Sequence, residues 1–202
     1  MVSHRNHRQN RVSSVRVLRG VLYFLILLLL AYWSGAWLWE QPLMERPGTL
    51  WQLSRMPAPT ALPVPVQGVA ARAIADTWGG ARAGGRRHEG VDIFAARSTP
   101  VVSSTRGLVV RVRESGIGGR QVWVLGPGRE RHYYAHLDDW APGLTAGDVV
   151  HPGTPLGTVG DTGNARGTPP HLHYGIYGDD GATNPWPRLR AGARTAPRAG
   201  QL

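Results

Sequence analysis

The 202-residue sequence contains no cysteine and no lysine. Without cysteine the protein has neither disulfide bonds nor thiolate metal sites, so histidine, aspartate or glutamate must bind any metal ion. The lack of disulfides still allows a location outside the cytoplasm, where disulfides are permitted but not required. Without lysine, Schiff-base chemistry is excluded.

All 23 basic residues are therefore arginines, and with 13 acidic residues they give a formal net charge of +10. Five of these arginines precede residue 20, and no acidic residue precedes Glu40. The remaining 18 arginines and all 13 acidic residues leave +5 on residues 40–202. This charge suits an anionic partner such as the cell wall, or it simply keeps the domain soluble. Charge alone would permit nucleic-acid binding, but the apolar segment described next argues against it.

Residues 20–39 form an uncharged, largely apolar run. About 20 such residues cross the hydrocarbon core as a helix. Arginines crowd the segment before this run, which places the N-terminus in the cytoplasm, and four aromatic residues lie near its other end, between Tyr32 and Trp39. The sequence predicts a single-pass anchor in membrane lipid, with the C-terminal domain on the side opposite the cytoplasm.

A cleaved secretion signal is the alternative to this anchor. Small residues at Ser34–Ala36 have the spacing of a processing site. The apolar run is long for a signal peptide, however, and the bulky Tyr32 and Trp33 directly precede the site, so we favour the retained anchor. Both interpretations place the domain on the same side of the membrane.

Composition divides the chain into five predicted segments. Proline at six positions between 42 and 65 predicts an extended spacer rather than a helix. The predicted segments are a basic cytoplasmic tail at 1–19, the anchor at 20–39, a proline-rich tether at 40–67, a globular domain at 68–187 and a disordered tail at 188–202.

Short β-branched runs alternate with glycine and proline turns through the globular segment. This pattern predicts an all-β fold, a small antiparallel sandwich or barrel. The predicted strands are 91–94, 100–103, 108–112, 121–125, 131–136, 148–150, 156–159 and 171–177. Residues 145–157 resemble the hairpin of a lipoyl or biotinyl carrier, but without a lysine for attachment that function is excluded.

Two spacings point to a metal site. His88 and Asp92 are four residues apart, a spacing that brings both to one face of a helix or strand. His171 and His173 lie two apart on a predicted strand, so they also share a face. His136 stands alone at the end of another strand. No His-Glu-x-x-His helix is present, which excludes the thermolysin arrangement.

Several stretches together resemble the lysostaphin/LytM-type zinc endopeptidases, which cut peptidoglycan peptides. The resemblance runs from about Ile74 to Pro185, and its motifs occur in the family's order. The matching stretches are 78–79, 88–93, 99–101, 107–109, 134–137, 147–150, 157–160, 162–163 and 170–173.

The resemblance implies a role for each of the five residues. His88, Asp92 and His173 are expected to bind Zn²⁺, and His136 and His171 are expected to serve as acid/base and oxyanion stabiliser. We favour His171 as the base. Peptidoglycan peptides are the expected substrate, with the cleaved bond left open between polyglycine bridges and D-amino-acid cross-links, and with no protein regulator identified.

A catalytically silent relative that activates other wall hydrolases is the alternative function. Such relatives are expected to lack metal ligands, whereas all five positions are intact here. Two nearby residues receive no catalytic role: Glu89 is expected at the surface, and His132, although it shares strand parity with His136, is expected to be exposed to solvent.

Overall fold

The computed structural model describes residues 4–39 and 45–195, with side chains described for 16–37 and 46–193. The chain divides into two compact units, residues 1–45 and 46–202. The first unit contains helix α1 (His4–Trp39). Within the described residues, one helix is long and apolar enough to cross a membrane, and its candidate span is Arg16–Trp37. A secretion signal would satisfy the same length and composition.

The second unit is an antiparallel β-sheet domain with one helix at each end of its sequence. Its helices are α2 (Glu45–Arg55) and α3 (Trp186–Thr195). Its strands are β1 (Val91–Phe94), β2 (Pro100–Val102), β3 (Gly107–Glu114), β4 (Arg120–Leu125), β5 (Arg131–Trp140), β6 (Val149–Val150), β7 (Pro155–Val159), β8 (His171–Gly178) and β9 (Gly181–Thr183). The predicted all-β class is confirmed.

The strands pair in the order β1-β8-β5-β4-β3-β6, and this sheet does not close on itself. Strand β7 pairs with both β2 and β5, and β9 pairs with β8. Strand β5 is long enough to join these parts, because its first half pairs with β4 and β8 and its second half with β7. The hydrophobic core lies on one face of the sheet and includes Leu172 and Ile176 of β8. The other face of β1, β8 and β5 is left for polar side chains.

The structure differs from the predicted proline-rich tether. Of the range 40–67, residues 40–44 lie outside the described residues, α2 covers 45–55, and the stretch from 57 to 67 packs on the domain. Leu53, Leu62 and Val66 are buried there, and Val66 forms a β-bridge with Val101. Prolines prevent a long helix in the stretch after α2, but they do not prevent extended chain from burying apolar side chains. The globular unit therefore begins near residue 46 rather than at 68.

The predicted disordered tail is also partly folded. Helix α3 includes residues 188–195, while 196–202 lie outside the described residues. Leu189 is fully buried, and the amide of Leu62 donates a hydrogen bond to the Arg188 carbonyl at 3.0 Å. Pro187, in the first turn, is compatible with a helix start because its missing N–H would have no helical partner there. One buried leucine thus ties an arginine-rich segment to the domain.

A buried polar cluster lies on the core side of β5 and β8. The Tyr174 hydroxyl is 2.7 Å from His132 Nδ1 and 2.5 Å from Ser104 Oγ, which is in turn 2.9 Å from the Tyr134 hydroxyl. His132 is fully buried, so the prediction that it is exposed to solvent is wrong. Its Nε2 has no hydrogen-bond partner within the described residues. Burial lowers the pKa of His132 to about 3.

This buried histidine makes a testable contribution to stability. Its folded-state pKa of about 3 lies below the ordinary value of 6.5, so between these pH values only the unfolded chain binds the proton. Stability from this source is fully present above pH 6.5 and is lost as pH falls toward 3, at a rate approaching about 1.4 kcal/mol per pH unit. We expect His132→Gln to flatten the pH dependence of the unfolding free energy. His151→Gln, which removes an exposed histidine, is the matched control, and parallel curves for wild type and His132→Gln would contradict the prediction.

Candidate active site

Strands β1, β8 and β5 place the polar side chains of the site in register. Asp92 of β1 pairs with His173 of β8, and His173 pairs on its other side with Ala135 of β5. Alternation along β8 puts His171 and His173 on the cleft face, while Leu172 between them enters the core. His88 comes from the loop before β1. Its amide donates a hydrogen bond to the Gly80 carbonyl at 2.8 Å, which holds this part of the loop in place.

His88, Asp92 and His173 form a compact cluster of potential metal ligands, whose donor atoms all lie within 4.8 Å of one another. His88 Nε2 is 3.0 Å from Asp92 Oδ1 and 2.9 Å from His173 Nδ1, and the last two atoms are 3.2 Å apart. Bonds of about 2.0–2.2 Å at tetrahedral angles separate two ligand atoms by about 3.4 Å. The three donors therefore fit around one ion with little rearrangement.

Hydrogen bonds fix the orientation of two of these ligands. His88 Nδ1 is 2.7 Å from the Thr77 carbonyl, which can only accept, so Nδ1 carries the proton and Nε2 presents its lone pair to the cluster. The Asp92 amide donates to Thr77 Oγ1 at 3.0 Å. The other carboxylate oxygen of Asp92, Oδ2, accepts a hydrogen bond from Arg82 and leaves Oδ1 for the cluster.

The protonation states of the cluster also favour metal binding. Burial opposes the ionisation of Asp92, but the close contacts with His173 and His88 outweigh it and hold the pKa of this carboxyl well below its usual range. Burial lowers the pKa of His173. Metal binding requires an ionised carboxylate and neutral imidazoles. The directions of the two pKa shifts favour these states for Asp92 and His173.

The two remaining histidines face each other beside the cluster. The rings of His136 and His171 lie 5.1 Å apart between centroids, and His136 lies 5.9 Å from His173. His136 Nδ1 is 2.8 Å from the Thr162 carbonyl, and His171 Nδ1 is 2.8 Å from the Pro169 carbonyl. Each carbonyl holds a proton on Nδ1 and leaves Nε2 of the neutral ring as a proton acceptor. Burial lowers the pKa of His136 to about 4.

His136 reaches the cleft through an unusual backbone conformation. Its φ of +62° lies in the left-handed region, which costs a non-glycine residue about 1–3 kcal/mol. This conformation breaks the alternation of β5, so His136 joins the cleft side chains of Tyr133 and Ala135. His132 and Tyr134 stay in the core. The predicted shared face of His132 and His136 is therefore wrong, because strand parity assumes an unbroken strand.

Loops complete a cleft of about 550 Å³ around these five residues. Ile117 and Gly118 line it from one glycine-rich loop, and 164–165 and 168–169 line it from the loop before β8. Tyr133 and Tyr177 form part of its floor, and burial raises the pKa of both hydroxyls to about 12. Glu89 is exposed, as expected, and lies beside the Tyr177 hydroxyl.

The groups that orient the site leave little trace in the sequence. The carbonyls of Thr77, Thr162 and Pro169 fix three histidine rings, and a main-chain carbonyl leaves no trace in residue types. The side chains of Arg82 and Tyr133 could have been noticed, because Arg82 lies six residues before His88 and Tyr133 three before His136. Neither spacing indicates a contact until the loop and the strand register are known.

Gly90 offers a test of how tightly His173 is held. A Cβ at this position would lie 2.7 Å from His173 Cε1 and 2.6 Å from the Tyr174 carbonyl oxygen. We expect Gly90→Ala to displace the His173 ring and to weaken metal binding about 10- to 100-fold, as disturbed ligand orientation generally does. Competition with a chelator would measure this change. Gly178→Ala is the control, because its Cβ would meet nothing within 4 Å, and equal affinities in the two variants would contradict the prediction.

Comparison with known proteins gives consistent matches. The profile of "Peptidase family M23" matches residues 86–185. The L-Ala–D-Glu endopeptidase of Bacillus subtilis is 43% identical over 129 residues, covering 58% of this chain and 40% of that protein. An uncharacterised metalloprotease of Haemophilus influenzae is 37% identical over 102 residues, covering 50% of this chain and 20% of that protein. The chain thus spans less than half the length of these two relatives.

A solved structure supports the same assignment over nearly a whole domain. The catalytic domain of the antimicrobial peptidase lysostaphin from Staphylococcus simulans is 30% identical and superposes with a TM-score of 0.52. The match covers 58% of this chain and 91% of that domain, so nearly all of the lysostaphin domain has a counterpart here. The chain belongs to peptidase family M23.

Proposed function

We propose that this protein is a zinc-dependent endopeptidase that hydrolyses peptide bonds in peptidoglycan cross-links. The main support for the proposal is that the donor atoms of two imidazoles and one carboxylate lie within 4.8 Å of one another, directly beside two further histidines. Both of those histidines have a proton held on Nδ1 by a carbonyl, so both offer Nε2 to a substrate. A binding module without catalysis has no need for this second pair.

His88, Asp92 and His173 would hold the zinc ion. Three nitrogen and oxygen ligands with a fourth position left for water are typical of catalytic zinc sites. A zinc ion bound there supplies a Lewis acid that lowers the pKa of water toward neutrality and polarises the scissile carbonyl. The donor set also suits other divalent ions of the first transition row, and zinc is favoured by the catalytic geometry and by the family.

His171 is assigned as the base that accepts the proton of the attacking water and hands it to the leaving amine. Burial lowers the pKa of His136 to about 4, which weakens it as a proton acceptor. His136 is assigned instead to the oxyanion that forms on the carbonyl. A nearby negative charge raises the pKa of an imidazole, so the developing oxyanion itself favours the protonated His136 that can donate a hydrogen bond to it.

The proposed location is the cytoplasmic membrane, with the catalytic domain facing the periplasm or cell wall. Residues 20–39 would anchor the chain in lipid, and the described helix has the length and composition for this task. The folded unit from residue 46 onward leaves only a short connection after the anchor. We infer that the domain acts on wall peptides near the membrane.

Digestion of peptidoglycan tests the proposed function. The full-length chain in detergent, supplied with zinc, is expected to release peptides that mass spectrometry identifies by their new amino termini. Removal of metal with a chelator should stop release, and re-addition of zinc should restore it. If the chain is inert with zinc but stimulates a separate wall amidase with or without metal, it is a silent activator and the proposal is wrong.

A further inference from the structure

One wall of the cleft carries three arginines on a single short loop. We call residues 81–87 the arginine loop. It forms a narrow hairpin, in which Ala81 and Arg87 form a β-bridge and the Arg82 amide donates to the Arg86 carbonyl at 2.9 Å. Gly84 and Gly85 make the turn, with φ of +74° and +73°. The hairpin brings Arg82, Arg86 and Arg87 together beside the cleft, which all three line.

The guanidinium groups of Arg86 and Arg87 each donate one hydrogen bond to a main-chain carbonyl and keep other N–H groups free. Arg86 Nε donates to the Ala83 carbonyl at 3.3 Å, which leaves both terminal nitrogens of its fork. Arg87 Nη1 donates to the Gly79 carbonyl at 3.3 Å, which leaves the edge formed by Nε and Nη2. A guanidinium with two neighbouring free N–H groups matches the two oxygens of a carboxylate.

The charge of this wall is not balanced by the protein. Elsewhere in the described domain, Arg97, Arg129 and Arg188 each form an ion pair with a carboxylate. On the arginine loop, only Arg82 has such a partner, and this partner is the proposed metal ligand Asp92. Glu89 is the one other acidic residue among those lining the cleft, and it lies beside Tyr177. With a divalent ion bound, the cleft would be more positive still.

We propose that Arg86 and Arg87 bind a carboxylate of the substrate peptide, so that this peptidase cleaves bonds close to an acidic residue in preference to uncharged peptides such as polyglycine. The inference rests on the proposed function and names the substrate class of the same site. Arg82 is left out of the recognition pair because its guanidinium contacts Asp92.

Matched peptides test this inference. Two sets of short synthetic peptides with D- and L-residues are made, one with a glutamate on the amino side of the bond to be cleaved and one with it on the carboxyl side. Each has a counterpart in which glutamine replaces that glutamate, and a glycine-only peptide completes the series. The zinc-loaded full-length chain is expected to show a kcat/KM about 10-fold higher for the acidic member of at least one pair, a preference of the size expected for a charge-assisted hydrogen bond.

Variants then assign the preference to the arginine loop. The double variant Arg86→Gln/Arg87→Gln is expected to lose the preference, because its kcat/KM should fall more for the glutamate peptide than for the glutamine peptide. Arg86→Lys/Arg87→Lys, which keeps the charge but not the planar fork, should retain part of it. Arg111→Gln, which removes an exposed arginine away from the cleft, should change nothing. The wild-type preference should also weaken as salt is raised, because exposed charges are screened.

Binding separates this inference from the proposed function. Dissociation constants of the same peptides are measured on the full-length His171→Ala variant, with and without the two glutamine substitutions. Tighter binding of the acidic peptide that depends on Arg86 and Arg87 supports the inference even if no peptide is cleaved, in which case only the proposed function fails. If acidic and neutral peptides bind and are cleaved equally well, or the double variant keeps the preference, the inference is wrong and the peptidase function stands.

Discussion

Substitution of His173 by alanine is expected to abolish peptide release from peptidoglycan, with a loss of at least about 10³-fold in rate. His173 Nδ1 lies 2.9 Å from His88 Nε2 and 3.2 Å from Asp92 Oδ1, so it is one of three donors around a single proposed ion. Without it two donors remain, too few for the three that a catalytic zinc usually has. A metal ion contributes several kcal/mol to stabilising the transition state, and about 4 kcal/mol corresponds to 10³-fold.

The loss should be visible in the metal content as well as in the rate. We expect purified His173→Ala to contain little zinc by elemental analysis. We also expect added zinc to raise its melting temperature less than that of the wild type, because a ligand that binds more weakly stabilises the folded state less. His151→Ala removes a histidine that is exposed and far from the cleft lining, and should behave as wild type. Full zinc content with wild-type activity in His173→Ala would rule out the proposed metal centre.

Periodicity in the sequence was sufficient to predict the strands that carry this centre. Strand β1 occupies the predicted residues 91–94, and β8 extends the predicted 171–177 by one residue. The physical reason is that both strands have one face in the core and one in the cleft, so residue types alternate along them. The same alternation predicts that His171 and His173 share one face. β9 (Gly181–Thr183) was missed, because its three residues are too few to show a period.

Where the backbone departs from regular geometry, residue types are a weaker guide to the structure. The position of His136 depends on a left-handed φ that no residue type in Tyr-Ala-His-Leu requires, so its cleft orientation could be inferred only from the family resemblance. The error over His132 has the same origin. Proline content predicts a spacer for the stretch from 57 to 67, because it indicates local stiffness but not whether Leu62 and Val66 pack against the core.

The arginine loop shows a different limit of sequence analysis. Arg86 and Arg87 stand directly before His88, so their nearness to the site could have been inferred from the sequence. What the sequence does not give is which donors of each guanidinium are already used. Only the hairpin geometry shows that Ala83 and Gly79 each accept one hydrogen bond and leave neighbouring N–H groups free. The proposed preference for an acidic substrate therefore depends on hydrogen bonds seen in the structure and not on residue types alone.

Substitution of His171 by alanine is expected to lower kcat by about 10²- to 10⁴-fold while zinc content stays at the wild-type level. A positioned base contributes an acceleration of this size, and His171 is not among the three proposed ligands. Leu172 in the core and the β1–β8 pairing hold His173 in place independently of the His171 ring. Retention of metal with loss of rate therefore separates this variant from His173→Ala.

His136→Ala supplies the comparison that distinguishes the roles of the two histidines. If His171 is the base and His136 stabilises the oxyanion, imidazole added to the buffer should restore part of the activity of His171→Ala. This small base can enter the space left by the missing ring and accept the proton there. The same addition should do less for His136→Ala, because an oxyanion needs a donor held in a fixed position. The reverse pattern of rescue would exchange the two assignments, and loss of zinc from His171→Ala would mean that His171 belongs to the metal centre.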